Sequence, residues 1–325
     1  MEGRAMAENK RQDENKRAGD GIDRRQFLEC MAWAGTGLLW TMAGGVPTAK
    51  LLAQGTKQRV TGHEGFSFVQ ISDSHIGFNK GANPDVTGTL QTAIERAKMP
   101  GGAAPEFLLH TGDITQNSKP AEFDTAAQIV KGFGKEVFYV PGEHDFIDDG
   151  EQYKQRFGKG THGTGWYSFD HKGVRFLGLN NCVQVDAMGN LGAEQLAWMK
   201  AELSGLSAST PIVVFAHIPL WMVYEQWGWG TKDGEQALAL LKRFGSVTVL
   251  NGHIHQVVQK VEGNVTFHTA RATAFPQPAP GAAMNPGPMV VPAGKLRSAL
   301  GVTHVKVARG QNHLAVVDHA LAEQA

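Results

Sequence analysis

Five apolar runs in this chain each end on residues able to ligate a metal. Phe66-Ser67-Phe68-Val69-Gln70-Ile71 leads into Ser72-Asp73-Ser74-His75, and Phe107-Leu108-Leu109-His110-Thr111 into Gly112-Asp113. Val137–Val140 precedes Pro141-Gly142-Glu143-His144-Asp145, Pro211–Phe215 precedes Ala216-His217, and Val247–Leu250 precedes Asn251-Gly252-His253-Ile254-His255. Short apolar runs closed by Gly or Pro read as buried strands. In open α/β sheets the ligand crevice lies at the carboxyl ends of such strands. A carboxylate placed there, as Asp113 is, costs much to desolvate without a cation beside it. The pattern therefore predicts a fold that brings five strand ends to one crevice.

Helical spacing fills the gaps between the runs. It marks residues 86–98, then Phe123, Ala126, Ala127, Val130 and Phe133, then Leu196, Met199, Leu203 and Leu206. Trp166–Phe169 and Val174–Leu179 read as a strand pair around the turn Asp170-His171-Lys172-Gly173. Beyond His255 only strand-like runs follow: Val257–Val261, Val265–Thr269, Val302–Val307 and Leu314–Val317. A Pro/Gly-rich insertion at 275–294 interrupts them, as a lid or as a surface crossing. The expectation is one α/β domain over residues 54–325.

The amino-terminal part reads differently. Residues 1–23 are polar and charged, as a disordered segment is. Arg24-Arg25 then stands before an uncharged run from Cys30 to Ala49, the layout of an export signal. It resembles a twin-arginine leader, although Asp23 and Glu29 stand where that pattern has a small hydroxyl residue and a lysine. Residues 1–53 are thus predicted as a signal peptide, cleaved between about Thr48 and Ala53. The chain would then meet export machinery and end in the periplasm or outside the cell. The alternative is an uncleaved membrane anchor, since the run is long enough to span a bilayer. With Cys30 in the leader and Cys182 the other cysteine, no disulfide is expected in the mature chain. Charge excludes one class of partner. The 31 basic residues are matched by 31 acidic ones, so a nucleic-acid polymer, which needs a basic excess, is not expected.

Asp-x-His and His-x-His place donors at i and i+2, on one face of a regular strand. Two metals roughly 3.5–4 Å apart need about seven protein ligands including one shared carboxylate. Asp73, His75, Asp113, Glu143, His217, His253 and His255 supply that set, with His144 left over.

In these motifs the chain resembles the calcineurin-like metallophosphoesterases. That family's order is Asp-x-His, Gly-Asp, Gly-Asn-His-Asp or -Glu, a lone His, then Gly-His-x-His, and the likeness covers about residues 66–256. It implies a four-layer α-β-β-α sandwich of two mixed sheets, and one metal on Asp73, His75 and His255. The other would sit on Glu143, His217 and His253, with Asp113 as the bridge. It also implies hydrolysis of a small-molecule phosphoester by a metal-bound hydroxide, with His144 as acid and Asp145 orienting its ring. Glycerophosphodiester and cyclic-nucleotide branches make a diester the expected substrate, ahead of a monoester.

Two positions depart from the family. Glu143 replaces an asparagine, which adds a charge and leaves open a protein that binds metal without turnover. Gln116 stands where purple acid phosphatases of the superfamily carry a tyrosine, so Mn, Fe(II) or Zn is expected without tyrosinate colour. Trp221, Tyr224, Trp227 and Trp229 could stack on a nucleobase or lipid-derived group, or form a loop cluster. His63, His110, His162, His171, His268, His304, His313 and His319 read as ordinary core or surface histidines.

Overall fold

A computed structural model of the chain describes residues 38–43, 46–51, 65–99, 103–185, 187–308 and 314–322. The chain divides into two units, residues 1–59 and 60–325. In the first, one antiparallel hairpin is described, β1 (Leu38–Ala43) with β2 (Val46–Leu51). That hairpin falls within the predicted leader; Arg24, Arg25, Cys30 and the leader residues other than these two strands lie outside the described residues. No helix among the described residues is long and apolar enough to cross a membrane.

The second unit starts with β3 (Phe66–Ile71), α1 (Val86–Lys98), β4 (Phe107–Thr111), α2 (Pro120–Lys131), β5 (Glu136–Val140) and α3 (Glu151–Phe157). A hairpin of β6 (Tyr167–His171) and β7 (Val174–Gly178) follows. Then come α4 (Gly192–Ser204), β8 (Ile212–Phe215), α5 (Gly234–Leu241) and β9 (Val247–Asn251). The chain closes with β10 (Gln259–Glu262), β11 (Val265–Thr269), the single turn α6 (Leu296–Ala299), β12 (Gly301–Val307) and β13 (Leu314–Ala320). Five strands pair in the order β13-β12-β3-β4-β5 and six in the order β10-β11-β9-β8-β7-β6. Both sheets mix parallel and antiparallel neighbours, as expected from the sequence.

Alternation along the strands sorts side chains into layers. On β3, Phe66 and Phe68 join Phe107, Leu109, Phe176 and Phe215 in the core between the sheets. Phe68 meets Phe176 edge-on at 5.5 Å, so aromatic rings from both sheets fill that layer. Val69 and Ile71 face the other way and pack with Leu90 and Ile94 of α1 and Phe123 of α2. The six-stranded sheet repeats this with Val214 and Val249 against Met199 of α4 and Leu241 of α5. Each such aromatic or aliphatic side chain stabilises the fold by about 2 kcal/mol. Four layers result, α-β-β-α.

The β1–β2 hairpin, the single turn α6 and two further helices fall outside the sequence reading. Helices α3 and α5 escape it because each is short and buries few side chains, Tyr153 on α3 and Ala237 and Leu241 on α5. Another element is displaced: β10 covers 259–262 rather than 257–261, and all four of its residues are exposed. The Val258 N–H is taken by Thr269 Oγ1 at 2.7 Å, which delays the strand.

Register positions the site. β3, β4 and β5 are parallel, with Ile71 beside His110 and Thr111 beside Val140. β8 and β9 are parallel in the other sheet, with Phe215 beside Leu250. All five strands therefore release their following residues at the same edge of the sandwich.

Candidate metal centre

Beyond that edge the backbone turns sharply and is pinned. Asp73 N–H donates to Gly112 O (3.0 Å) and His75 N–H to Asp113 O (2.9 Å), which ties the loops after β3 and β4 together. Gly252 N–H donates to His217 O (2.9 Å) and does the same after β8 and β9. Asp73, His75, Asp113, His253 and His255 all take positive φ, between 41° and 70°. The spacing predicts Asp73 with His75 and His253 with His255 on one strand face, and the structure differs. The strands end at Ile71 and Asn251, and left-handed turns, not strand alternation, bring the paired donors together. Gly112 (φ 94°) has no alternative, since a Cβ there would lie 2.6 Å from His217 Nδ1 and 2.7 Å from Gly142 N.

The ligand atoms converge. Those of Asp73, His75 and His255 lie within 4.8 Å of one another, and those of Glu143, His217 and His253 form a second such group. Asp113 falls in a group with His75 and His144 and in another with Asp73 and His217. Its Oδ2 stands 3.4 Å from His75 Nε2 and 3.3 Å from His217 Nε2, between the two groups. His255 Nε2 is 3.2 Å from Asp73 Oδ1. Except for half-buried His144, all these residues are buried.

The far nitrogens are already engaged. His217 Nδ1 donates to Thr111 O (2.8 Å), His255 Nδ1 to Phe275 O (2.6 Å) and His75 Nδ1 to Gln116 Oε1 (3.1 Å). That fixes the tautomer and leaves each Nε2 lone pair facing inward, as metal-ligating histidines require. The same donor set fits a cation by what it lacks. Glu143 Oε2, His217 Nε2 and His253 Nε2 are buried without a hydrogen-bond partner, although Glu143 Oε2 is only 3.1 Å from His253 Nδ1. Orphaned buried acceptors at such spacing are what a divalent ion satisfies.

Charge is tightly shared. Burial works to raise the Asp113 carboxyl, but His217, His144 and His75 hold it well below the ordinary carboxylate range. Burial likewise opposes Asp73, where the His255 imidazole wins and the carboxyl stays ionised. His217 is pushed up to about 10, its burial outweighed by Asp113 and then Asp73. Burial dominates at His75 and takes it down to about 3. Cations bound here replace protons, so loading releases them.

Glu143 turns its carboxylate into the second group. Removing that charge in Glu143→Gln is expected to weaken the second metal by at least about tenfold. Titration at limiting metal with elemental analysis reads this, and unchanged stoichiometry would refute it.

Asp145 takes a different place from the one its sequence position suggests. Its oxygens accept the N–H groups of Gly142 (2.9 Å), Ile114 (3.0 Å) and Thr115 (2.9 Å) and the Thr115 hydroxyl (2.9 Å). With its lone pairs so committed it pins the Glu143–Phe146 turn to the β4 loop instead of orienting the His144 ring. Burial, then the Asp113 charge, pushes Asp145 up to about 6. The ring is held by Gln116, whose backbone O accepts from His144 Nδ1 at 2.9 Å. Sequence reasoning noted Gln116 only for a missing tyrosine, yet it touches both His75 and His144. Gln70 and Asn251 were also missed. Asn251 Nδ2 donates to Ala216 O (2.9 Å) and Ile218 O (3.1 Å) and so fixes the His217 loop. Gln70 Nε2 donates to Asn251 O (3.1 Å) and ties the two sheets together beneath the site.

A cleft of about 270 Å³ opens over these groups, with Trp227, Trp229, Phe275, Gln277, Pro286 and Pro288 in its walls. The 275–294 segment is thus a wall of the site, and two of the four loop aromatics face it. Trp221 packs instead on Phe267, at 4.7 Å. His110, His171 and His268 are engaged elsewhere, with Ser74, Glu106 and Asp318. His63 and His313 lie outside the described residues.

A two-sheet α/β sandwich carrying paired, carboxylate-bridged ligand groups at one strand edge defines a dinuclear metallohydrolase. The calcineurin-like phosphoesterase model matches residues 66–257, and the chain belongs to that family. It is a metallophosphoesterase that works with two divalent cations. Glycerophosphodiester phosphodiesterase GpdQ of Enterobacter lignolyticus is 27% identical over 225 residues, 64% of this chain and 77% of its own. The 3',5'-cyclic adenosine monophosphate phosphodiesterase CpdA of Vibrio vulnificus is 24% identical over 240 residues, 69% and 80% of the two chains. A dimetal phosphatase from Danio rerio superposes with a TM-score of 0.54 at 14% identity, over 77% of this chain and 98% of its own.

Proposed function

We propose that the chain hydrolyses small-molecule phosphodiesters, with monoesters the poorer substrates. The observation that carries this is the convergence of two ligand groups about Asp113 at one buried edge. The diester preference is supported by the activities named for GpdQ and CpdA. Asp73, His75 and His255 would hold one divalent cation and Glu143, His217 and His253 the other, with Asp113 shared. Such a pair, when bound, polarises a phosphoryl oxygen and lowers the pKa of a coordinated water to about 7.

The chain's own residues do the rest. His144 lines the cleft, and with Nδ1 donated to Gln116 O its Nε2 is the nitrogen free to serve a substrate. Burial lowers its proton affinity, but Asp113 and then Glu143 raise it above the ordinary value. A protonated Nε2 can give its proton to the departing alcohol oxygen. Phe78 and Phe275, packed 4.4 Å apart, screen the His75 side from water.

Bis-p-nitrophenyl phosphate with added Mn is expected to turn over, and faster than the p-nitrophenyl monoester. Bound metal without turnover would overturn this reading in favour of a metal-binding protein. Arg24-Arg25 ahead of its uncharged run supports export through a leader of residues 1–53. Sequencing of the exported protein is expected to begin between about Thr48 and Ala53. An intact Met1 outside the cytoplasm would refute cleavage.

A further inference from the structure

Exposed apolar side chains flank the cleft-lining residues in sequence, with Lys80 the exposed charged residue of the lining. Among the described residues nine large hydrophobic side chains are exposed, and six stand beside the cleft in sequence. Met284 (92% exposed), Met289 (37%) and Val290 (70%) flank the wall residues Pro286, Gly287 and Pro288. Val183 (54%) precedes Val185 of the wall, and Ile147 (53%) follows the turn that carries His144. Met222 (43%) sits in the tryptophan loop, where Val223 N–H donates to Trp229 O. Residues 275–294 carry no charged side chain, although 19% of the chain is charged and about four would be expected there. Six prolines stiffen that segment. It is anchored by Met289 N–H on Pro276 O (2.8 Å) and Gln256 Nε2 on Pro278 O (2.6 Å). It holds Met284, Met289 and Val290 out in water on either side of the wall residues Pro286, Gly287 and Pro288, and exposed apolar side chains beside a ligand cleft point to a binding surface.

The inner wall says what it binds. Apart from the ligand groups and His144, its polar members are Lys80, Gln116 and Gln277. Gln116 is committed to His75, and Gln277 Nε2 donates to His253 O (3.2 Å), which leaves Gln277 Oε1, itself buried, as the one unpartnered amide oxygen of the wall. Val185, Ala187, Pro286 and Pro288 have no side-chain group to pair with the hydroxyls of a sugar or glycerol arm, Trp227 and Trp229 add only an indole N–H each, and burying such hydroxyls unpaired is costly. A diester with phosphorus at the metals must still send one alcohol arm across this wall and over the collar.

Resting on the phosphodiesterase reading above, we propose that the site takes amphiphilic phosphodiesters, with the alkyl or acyl arm of the substrate lying on the apolar collar. The occupant is the substrate's own chain. Lys80, exposed at the mouth, complements the diester charge.

Methyl, butyl and octyl p-nitrophenyl phosphate share one leaving group and differ only in the arm. With the Mn-loaded full chain, kcat/KM is expected to rise about twofold per methylene, roughly a hundredfold from methyl to octyl. The double variant M284S/V290S, and V183S on its own, are expected to lower the octyl-to-methyl ratio at least about fivefold with Tm unchanged. An octyl-to-methyl ratio near one in the wild type, or a ratio untouched by both variants, overturns the proposal. Variants that dissociate an oligomer and leave the ratio intact also overturn it, by assigning the collar to a second copy of the chain. If the methyl ester and bis-p-nitrophenyl phosphate are both inert, it is the phosphodiesterase reading that falls.

Discussion

Asp113→Asn is expected to leave the chain with at most one metal and to cut kcat/KM by about a thousandfold or more. The reason lies in how completely the carboxylate is used. Oδ1 accepts the His144 N–H at 2.9 Å, while Oδ2 stands 3.4 Å from His75 Nε2 and 3.3 Å from His217 Nε2. The carboxylate falls in one ligand group with His75 and in another with His217. Asparagine keeps the shape but removes the charge, and it turns either an amide or a single neutral oxygen toward both sites. A thousandfold is about 4 kcal/mol, a size that loss of one well-placed charge in a water-excluded site produces. Elemental analysis and steady-state kinetics check the two halves independently. Two bound metals with activity within tenfold of wild type would remove Asp113 from the bridging position.

The second large effect is expected from His144→Ala, a loss of about a hundredfold or more in kcat with both metals retained. Retention follows from the backbone. The His144 N–H that steadies Asp113 is unchanged by the substitution, and Asp145 still pins the turn to Gly142, Ile114 and Thr115. Only the ring is lost, together with its bond to Gln116 O. Diesters of poor leaving alcohols should suffer more than bis-p-nitrophenyl phosphate, because an activated leaving group needs no proton. Equal losses on both would argue against proton donation at His144 and for a positioning role.

Much of this arrangement was legible in the residue order. Asp, Glu or His within a few residues of each apolar run, with glycine before it after three of the five, located the strand ends, and parallel register did the rest. Phe66–Ile71 was readable as a strand, but its alternation is that of a half-buried one, and burial of all six residues depends on the helices that cover its other face. Less was readable where the outcome depends on groups distant in sequence. Nothing in Gly142-Glu143-His144-Asp145 tells that Asp145 bonds backbone amides 30 residues away while Gln116 takes the His144 ring. Spacing suggested strand faces for Asp-x-His and His-x-His because i and i+2 coincide there. The turns beyond Ile71 and Asn251 reach the same convergence by another route, one that composition does not betray.

Those turns have a consequence for how the chain can vary. Asp73, His75, Asp113, His253 and His255 sit in backbone geometry that glycine adopts freely and that costs a residue with a side chain on the order of 1 kcal/mol each. At these five positions folding alone would favour glycine, and chemistry forbids it. Stability and catalysis thus pull in opposite directions at the same residues, and the closed sandwich beneath them is the reserve that tolerates the conflict.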